Sequence, residues 1–373
     1  MADQYHLVFF PYIALGGVSE LQVGRATIWN FDSNPNRIAD GAIKTRVAEL
    51  LQMYREPGRL AANSTPIRNI GIVTLPGNGF RPLTQREADD VQELRSALFL
   101  CSLAKNTRIS SLNGGFMVFT AENFDVVRQN FVLGDDNFAE SSGVLVRMTK
   151  IGRKIGEVSF TRPAYINSPT RFAYDETLLG ELRFIRRRNR ALYRRIMNAT
   201  GVFLESYYNN PTVDFRARVL LQAAAFEMLL ELRGEARRAF KSEIERLLSK
   251  SGERKFRYKY QVWDKKVSES RTLKAIWADR FFTLRNHVIH GDAVHPNEYV
   301  FRNAQHHLVV APLMFIMCVK QLINEWRTLS AKPRVFFERI DWRVIREADG
   351  YDPEERGFQI TDDIAARFGF AEI

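Results

Sequence analysis

Five of the six histidines lie between positions 287 and 307, and two of them stand close to an arginine in the stretch Arg285-Asn286-His287-Val288-Ile289-His290-Gly291-Asp292. A rare side chain that titrates near neutral pH, gathered in this way, has three chemical readings. The first is structural: Gly291 suits the position just past a helix end, and Arg and His in a last turn sit well against the negative end of the helix dipole. The second is a metal site. His287 and His290, three apart, share a helical face with Asp292 and His295 close behind, and imidazole with carboxylate suits zinc or manganese. No second cluster supplies further ligands in a recognisable pattern. The third is metal-independent RNA cleavage, in which the nucleophile is the RNA's own 2′-hydroxyl. That reaction asks the protein for a proton-transfer group, which histidine provides. It also asks for a cation on the transition-state phosphate, where the planar fork of arginine grips two oxygens at once. Arg285 and His290 are five positions apart, about 140° around an ideal helix. They converge on one phosphate only where the helix ends near His290, and Gly291 supplies that ending.

Three more groups of residues bear on this chemistry. Glu227 is flanked by Phe226, Met228, Leu229 and Leu230. A carboxylate buried there would need a partner, and Arg285 is the candidate; alternatively position 227 points to solvent while 226 and 230 point inward. Residues 183–195 hold seven arginines and no acid. This is either a solvated helix face or, since uncompensated charge repels itself, a surface for RNA or an acidic partner, with Arg187, Arg190 and Arg194 as contacts. The stretch Arg254-Lys255-Phe256-Arg257-Tyr258-Lys259-Tyr260 interleaves bases with aromatics. Single-stranded RNA can stack on such rings while Arg254, Lys255 and Arg257 meet its phosphates; a loop or hairpin with exposed cations is the other reading.

The elements that must position these residues are helical. From 175 to 329 nearly everything has helical period, with breaks at 209–211, 249–252 and 291–296. Asp175 is a candidate N-cap for a long helix in which Leu178, Leu182, Ile185, Asn189, Leu192, Ile196, Ala199 and Phe203 form a heptad stripe with one polar member, packing lengthwise on another helix of this chain or of a second copy. The segment 214–233 places Phe215, Val219, Ala223, Phe226 and Leu230 on one face. Further helices fit 235–248, 272–290 and 298–329, giving an all-helical bundle of about five helices over 171–331. Residues 332–373 read as a short appendage with a helix or two.

At Arg285-Asn286-x-x-x-His290-Gly291, following Phe281-Phe282-x-Leu284, the chain resembles the R-x4-6-H signature of the HEPN superfamily. Those domains are helical bundles of toxin, CRISPR-associated and anti-phage effectors. The segment 217–231 also looks like the first conserved helix of related bundles, with Glu227 as its acidic residue. The resemblance covers roughly 175–330. It implies a metal-independent endoribonuclease without cofactor, acting as a homodimer with two motifs across a composite cleft. Arg285 would hold the scissile phosphate, His290 transfer protons, Asn286 orient phosphate or ribose, and Glu227 position Arg285. The first half would sense a trigger or restrain the nuclease.

That first half, 1–170, mixes strand and helix signals and reads as an α+β domain, so the whole chain is expected to be α+β. Strands fit 5–13, 20–31, 70–75, 116–119 and 143–148, and helices fit 41–54 and 84–105, the second opening on a Thr84/Glu87 capping box. Turn signals stand at Asn78-Gly79, Asn113-Gly114-Gly115 and Gly134-Asp135-Asp136. No phosphate loop, dinucleotide fingerprint or HExxH occurs. The net charge of +11 and pI near 9.7 favour a polyanionic partner. Two cysteines, Cys101 and Cys318, exclude a disulfide framework and a cysteine-based zinc site, and suit a reducing cytosol. The first residues lack the basic start of a signal peptide, and the longest apolar run, 308–319, is interrupted by Pro312. The expectation is a cytoplasmic protein without a membrane span.

Overall fold

A computed structural model of the chain describes residues 4–16, 18–57, 64–112, 121–142, 153–154, 159–162, 171–208, 214–249, 252–262, 265–301 and 305–337. The strands expected at 116–119 and 143–148, the turn at Asn113-Gly114-Gly115 and most of the appendage lie outside these residues. The chain is an α+β mix, with strands prevailing toward the N-terminus and helices toward the C-terminus. It divides into two compact units: one comprises residues 1–106, 117–190 and 207–210, and the other 107–116, 191–206 and 211–373.

The first unit is built on an antiparallel sheet. Its described strands are β1 (Gln4–Phe10), β2 (Glu20–Val23), β3 (Ala26–Asn30), β4 (Gly71–Thr74), β5 (Val127–Val132), β6 (Asp135–Ser142) and β7 (Arg153–Lys154), in the spatial order β7-β6-β5-β1-β4-β3-β2. Helix α1 (Gly41–Gln52) starts where Asp40 accepts the N–H groups of Ala42 and Ile43 at 2.8 and 3.0 Å. It buries Ile43, Val47, Leu50 and Leu51 in one core with Leu7, Phe9, Trp29, Ile72, Val127 and Phe131 of the sheet. Alternation along β1 and β5 puts these sheet residues on a single face. Helix α2 (Gln85–Leu112) opens on the expected capping box: Glu87 Oε2 accepts the Thr84 N–H at 2.9 Å and the Glu87 N–H reaches Thr84 Oγ1 at 3.3 Å. Arg81 adds two further bonds to that carboxylate, at 2.8 and 3.0 Å. The Thr84 N–H first, and Arg81 after it, hold the Glu87 carboxyl down to about 2.

Four features of the helical reading are corrected. The heptad helix is interrupted: α3 (Glu176–Arg188) ends at Asn189, whose φ of −144° and ψ of 80° leave the helix, and α4 (Arg190–Glu205) begins beyond it. Asparagine competes for helix hydrogen bonds with its own side chain, and the arginines on either side repel one another within two turns. As a result Leu178, Leu182 and Ile185 are buried in the first unit, while Leu192, Ile196, Ala199 and Phe203 are buried in helix α4. Helix α3 clusters with the first unit, although the sequence reading places it in the helical half. There Arg183 Nε donates to the Gln22 carbonyl at 2.8 Å, and Arg186 pairs with Glu93. Gly24, at φ +61° in the turn between β2 and β3, gives Arg186 its room: a Cβ there would stand 2.7 Å from the guanidinium.

The second unit contains α5 (Phe215–Leu230), α6 (Ala236–Leu248), α7 (Leu273–His290) and α8 (His307–Leu329) with α4. It is not all-helical. Strands β8 (Lys255–Val262) and β9 (Lys265–Thr272) form an antiparallel hairpin between α6 and α7, because Lys255-Phe256-Arg257-Tyr258 alternates with period two. Helix α8 starts at His307 rather than 298. The segment before it holds a short 3-10 turn (Pro296–Tyr299) and two two-residue strands.

Phe226 is the centre of the core, with ring centroids 5.0 to 6.2 Å from Phe203, Phe240, Trp277, Phe281 and Phe315. Beside these rings lies a carboxylate, Asp279, at 1% exposure. Arg237 of α6 grips it with two bonds of 3.0 and 2.6 Å, Tyr258 of the hairpin donates to it at 3.0 Å, and Lys241 stands 3.6 Å away while bonding Glu269 at 2.6 Å. Burial, and then the Asp279 charge, push the Tyr258 hydroxyl up to about 12. One acid thus ties α6, the hairpin and α7 together. Asp279→Ala would leave Arg237 and Lys241 without that charge, and removing one partner of a buried pair costs about 3–5 kcal/mol. Urea unfolding should show a loss of that size, and a loss near zero would mean that the network does not hold the unit together.

Candidate functional site

Helix α7 is buried nearly all round from Leu273 to Asp279 and keeps Phe281, Phe282 and Leu284 inside. It leaves the core at Arg285, so its last turn carries Arg285, Asn286, Val288, Ile289 and His290 toward the surface, the last two exposed. On α5, Phe226 points into the aromatic core and Glu227 follows about 100° around the helix, at its rim.

These two rims meet. Arg285 Nη2 lies 2.9 Å from Glu227 Oε1, with the side chains 25% and 30% exposed. That oxygen makes no aligned hydrogen bond, so the contact is a pairing of charges and not a fork-to-fork clamp. A second anchor is Asn286, whose Oδ1 accepts from Arg285 Nη1 at 3.1 Å. A third is the Phe282 ring, 5.9 Å beneath the guanidinium carbon. The structure therefore brings Arg285, Asn286 and Glu227 together. His290 is the last helical residue, exposed and with no hydrogen bond or ion pair among the described residues.

The helix ends where the sequence places its end. Gly291 sits at φ +72° and ψ 21°, its N–H reaching the Val288 carbonyl at 3.3 Å while Asp292 N–H reaches His287 O at 2.9 Å. This is a Schellman closure, which needs a left-handed residue at Gly291. One turn back, His287 Nδ1 lies 2.6 Å from Glu298 Oε2, and Glu298 Oε1 accepts the His295 N–H at 3.1 Å. The pair pins the chain after Gly291 to the helix and fixes the ring orientation of His287. Sequence reasoning missed Glu298, because an isolated acid eleven positions downstream carries no periodic signal. Among the described residues no group of three or more His, Cys, Asp or Glu side chains is placed to hold a metal ion.

The residues expected to touch RNA are spread over α3, α4 and the hairpin. On α3 Arg187 is exposed, with its Nε on its own helix at the Arg183 carbonyl, 3.3 Å away. On α4 Arg190 and Arg194 are exposed, and Arg195 pairs with Glu231, the residue ending α5. Arg254, Lys255 and Arg257 are exposed on the hairpin, but Tyr258 is turned inward to Asp279 and offers no ring for stacking. The expectation of stacking on Tyr258 is corrected accordingly: the same burial that anchors the hairpin removes the ring from solvent.

Nothing matches this chain among protein-family models, curated proteins or solved structures.

A methyl group at Gly291 would meet nothing within 4 Å, so Gly291→Ala isolates the conformational cost of the left-handed position. That cost is about 1–2 kcal/mol. Thermal or urea denaturation should show it, and an unchanged midpoint would mean that the end of α7 is set by other contacts.

Proposed function

We propose that the second unit is a metal-independent endoribonuclease, and that the resemblance of its Arg285–His290 segment to the HEPN signature reflects a shared chemistry. The observation that carries this reading is the guanidinium of Arg285, held on three sides by Glu227, Asn286 and Phe282 while a quarter of its side chain stays open to solvent. An arginine that grips phosphate needs both the anchoring and the opening, and Arg285 has both.

In the proposed reaction His290 takes the proton of a ribose 2′-hydroxyl, the 2′-oxygen bonds to the adjacent phosphorus, and the bond from phosphorus to the 5′-oxygen breaks. A proton returns to that leaving oxygen, so the products are a 2′,3′-cyclic phosphate and a 5′-hydroxyl. Arg285 neutralises charge on the phosphate oxygens as they become more negative, and Asn286 orients phosphate or ribose. Glu227 is a positioning residue. The resemblance adds a homodimer with a shared cleft, and the exposed Met228 and Ile289, next in sequence to Glu227 and His290, offer apolar surface for a second copy. It also suggests a toxin-like or anti-phage effector whose first unit senses a trigger or restrains cleavage. The same exposed pair favours a second reading, a non-catalytic helical dimer that binds RNA or protein and uses the Arg285 segment for packing.

End-labelled RNA incubated with the protein in EDTA separates the two. Wild type should leave 2′,3′-cyclic phosphate ends, while Arg285→Ala and His290→Ala should lose at least about a hundredfold in rate, the scale of removing one transition-state donor. Equal cleavage by all three proteins would contradict the assignment. Cleavage that appears only with added manganese would move the chemistry to the histidines as metal ligands.

A further inference from the structure

The hairpin of β8 and β9 has two unlike faces. Alternation puts Phe256 and Tyr258 on one side and Lys255 and Arg257 on the other. On the inner side Tyr258 bonds Asp279, and Glu269, which pairs in register with Tyr258, bonds both Lys241 and Arg271 at 2.6 Å. The acid of this ribbon is thus consumed inward. On the outer side Arg257 faces Ser270 in register and donates to Ser268 Oγ at 3.1 Å, and both serines are exposed. Lys255 and Arg257 are exposed beside them. Arg254, next to the strand, is exposed too and lies 4.9 Å over the Phe256 ring. None of the three cations pairs with a carboxylate among the described residues.

We propose that this outer face is an RNA-binding exosite that reads phosphates and not bases. Cations alternating with small hydroxyls suit a line of phosphate oxygens. The Tyr258 ring is turned inward to Asp279 and the Phe256 ring carries Arg254 over it, so neither is a free stacking platform of the kind by which single-stranded RNA is usually held. The ribbon is also anchored to α7. Its Tyr258 is anchored on Asp279 of α7, and Arg285 lies six residues further along the same helix. RNA gripped by the ribbon is therefore gripped by an element in fixed register with the helix that carries Arg285. The choice of RNA as the polyanion rests on the reading of this unit as a ribonuclease.

The test uses the full-length protein and a fluorescent 2′-O-methyl RNA 20-mer, which has no free 2′-hydroxyl and cannot be cleaved by the proposed route. Anisotropy titrations at several salt concentrations compare wild type with Arg254→Gln/Lys255→Gln/Arg257→Gln and with the charge-matched control Arg68→Gln/Arg216→Gln/Arg233→Gln. The hairpin variant should bind about tenfold or more weakly and lose about 2 from the slope of log affinity against log salt, since each contact on a single strand contributes about 0.7. Lys255→Arg/Arg257→Lys, which keeps the charge, should keep the slope. Oligonucleotides of different base composition should bind wild type within about threefold of one another.

Wild-type affinity and slope in the hairpin variant would overturn the proposal, as would absence of RNA binding by wild type or a strong base preference. Displacement by polyglutamate as effective, charge for charge, as displacement by RNA would make an acidic protein the partner and overturn it equally. A parallel assay with ordinary RNA keeps the two readings apart. Cleavage by wild type with hairpin-independent binding removes the exosite alone, and hairpin-dependent binding without cleavage removes the nuclease alone.

Discussion

A carboxylate taken out of water must be given its charge partners and its hydrogen bonds, because an unpaired buried charge costs several kcal/mol. Asp279 imposes that condition on the second unit. Its two oxygens draw Arg237 from α6 and Tyr258 from the hairpin, with Lys241 nearby, so that two elements are tied to α7 through one side chain. The aromatic cluster around Phe226 supplies the larger part of the burial, but apolar packing is tolerant of small shifts. The bidentate Arg237 contact is not, so it fixes the rotation and register of α7. The placement of Arg285 and His290 depends on that register, because both are set by where α7 leaves the core and where it stops.

The pairing of Arg285 with Glu227 is of another kind. Both side chains are partly exposed, so water and salt screen the attraction and it adds little to stability. Its consequence is conformational. A free arginine side chain samples many rotamers, and one paired with a carboxylate, bonded to Asn286 and resting on Phe282 has lost most of that freedom before any ligand arrives. The phosphate would meet a guanidinium whose orientation is already set, with donors left over after Glu227 and Asn286 are satisfied. The His287–Glu298 pair does comparable work on the far side of the helix end, tying down the chain that follows Gly291.

How much of this was legible in the sequence depended on distance along the chain. Local signals were reliable: Thr84 and Glu87 cap α2, Asp175 caps α3, and Gly291 closes α7. The suggestion that Glu227 needs Arg285 was also available, because a carboxylate inside an apolar run poses a question that few cations of the bundle can answer. The break at Asn189 was not legible from periodicity, since the apolar positions keep their spacing through it while a single residue leaves the helix. The hairpin was read as one of two possibilities, and its inward Tyr258 could not be foreseen without knowing that Asp279 lies beneath it. Glu298 was taken for the start of α8, because a one-turn 3-10 segment and two-residue strands leave too faint a pattern to compete with a helix.

In the proposed reaction Glu227 acts through Arg285, and a double-mutant cycle on cleavage tests this most directly. Single-turnover rates in EDTA would be measured for wild type, Glu227→Gln, Arg285→Lys and the double variant. If Glu227 works by holding the guanidinium, each single change slows cleavage and the double variant is no slower than Arg285→Lys alone. Losses that multiply in the double variant would show that the two residues act independently, and the positioning role of Glu227 would be contradicted.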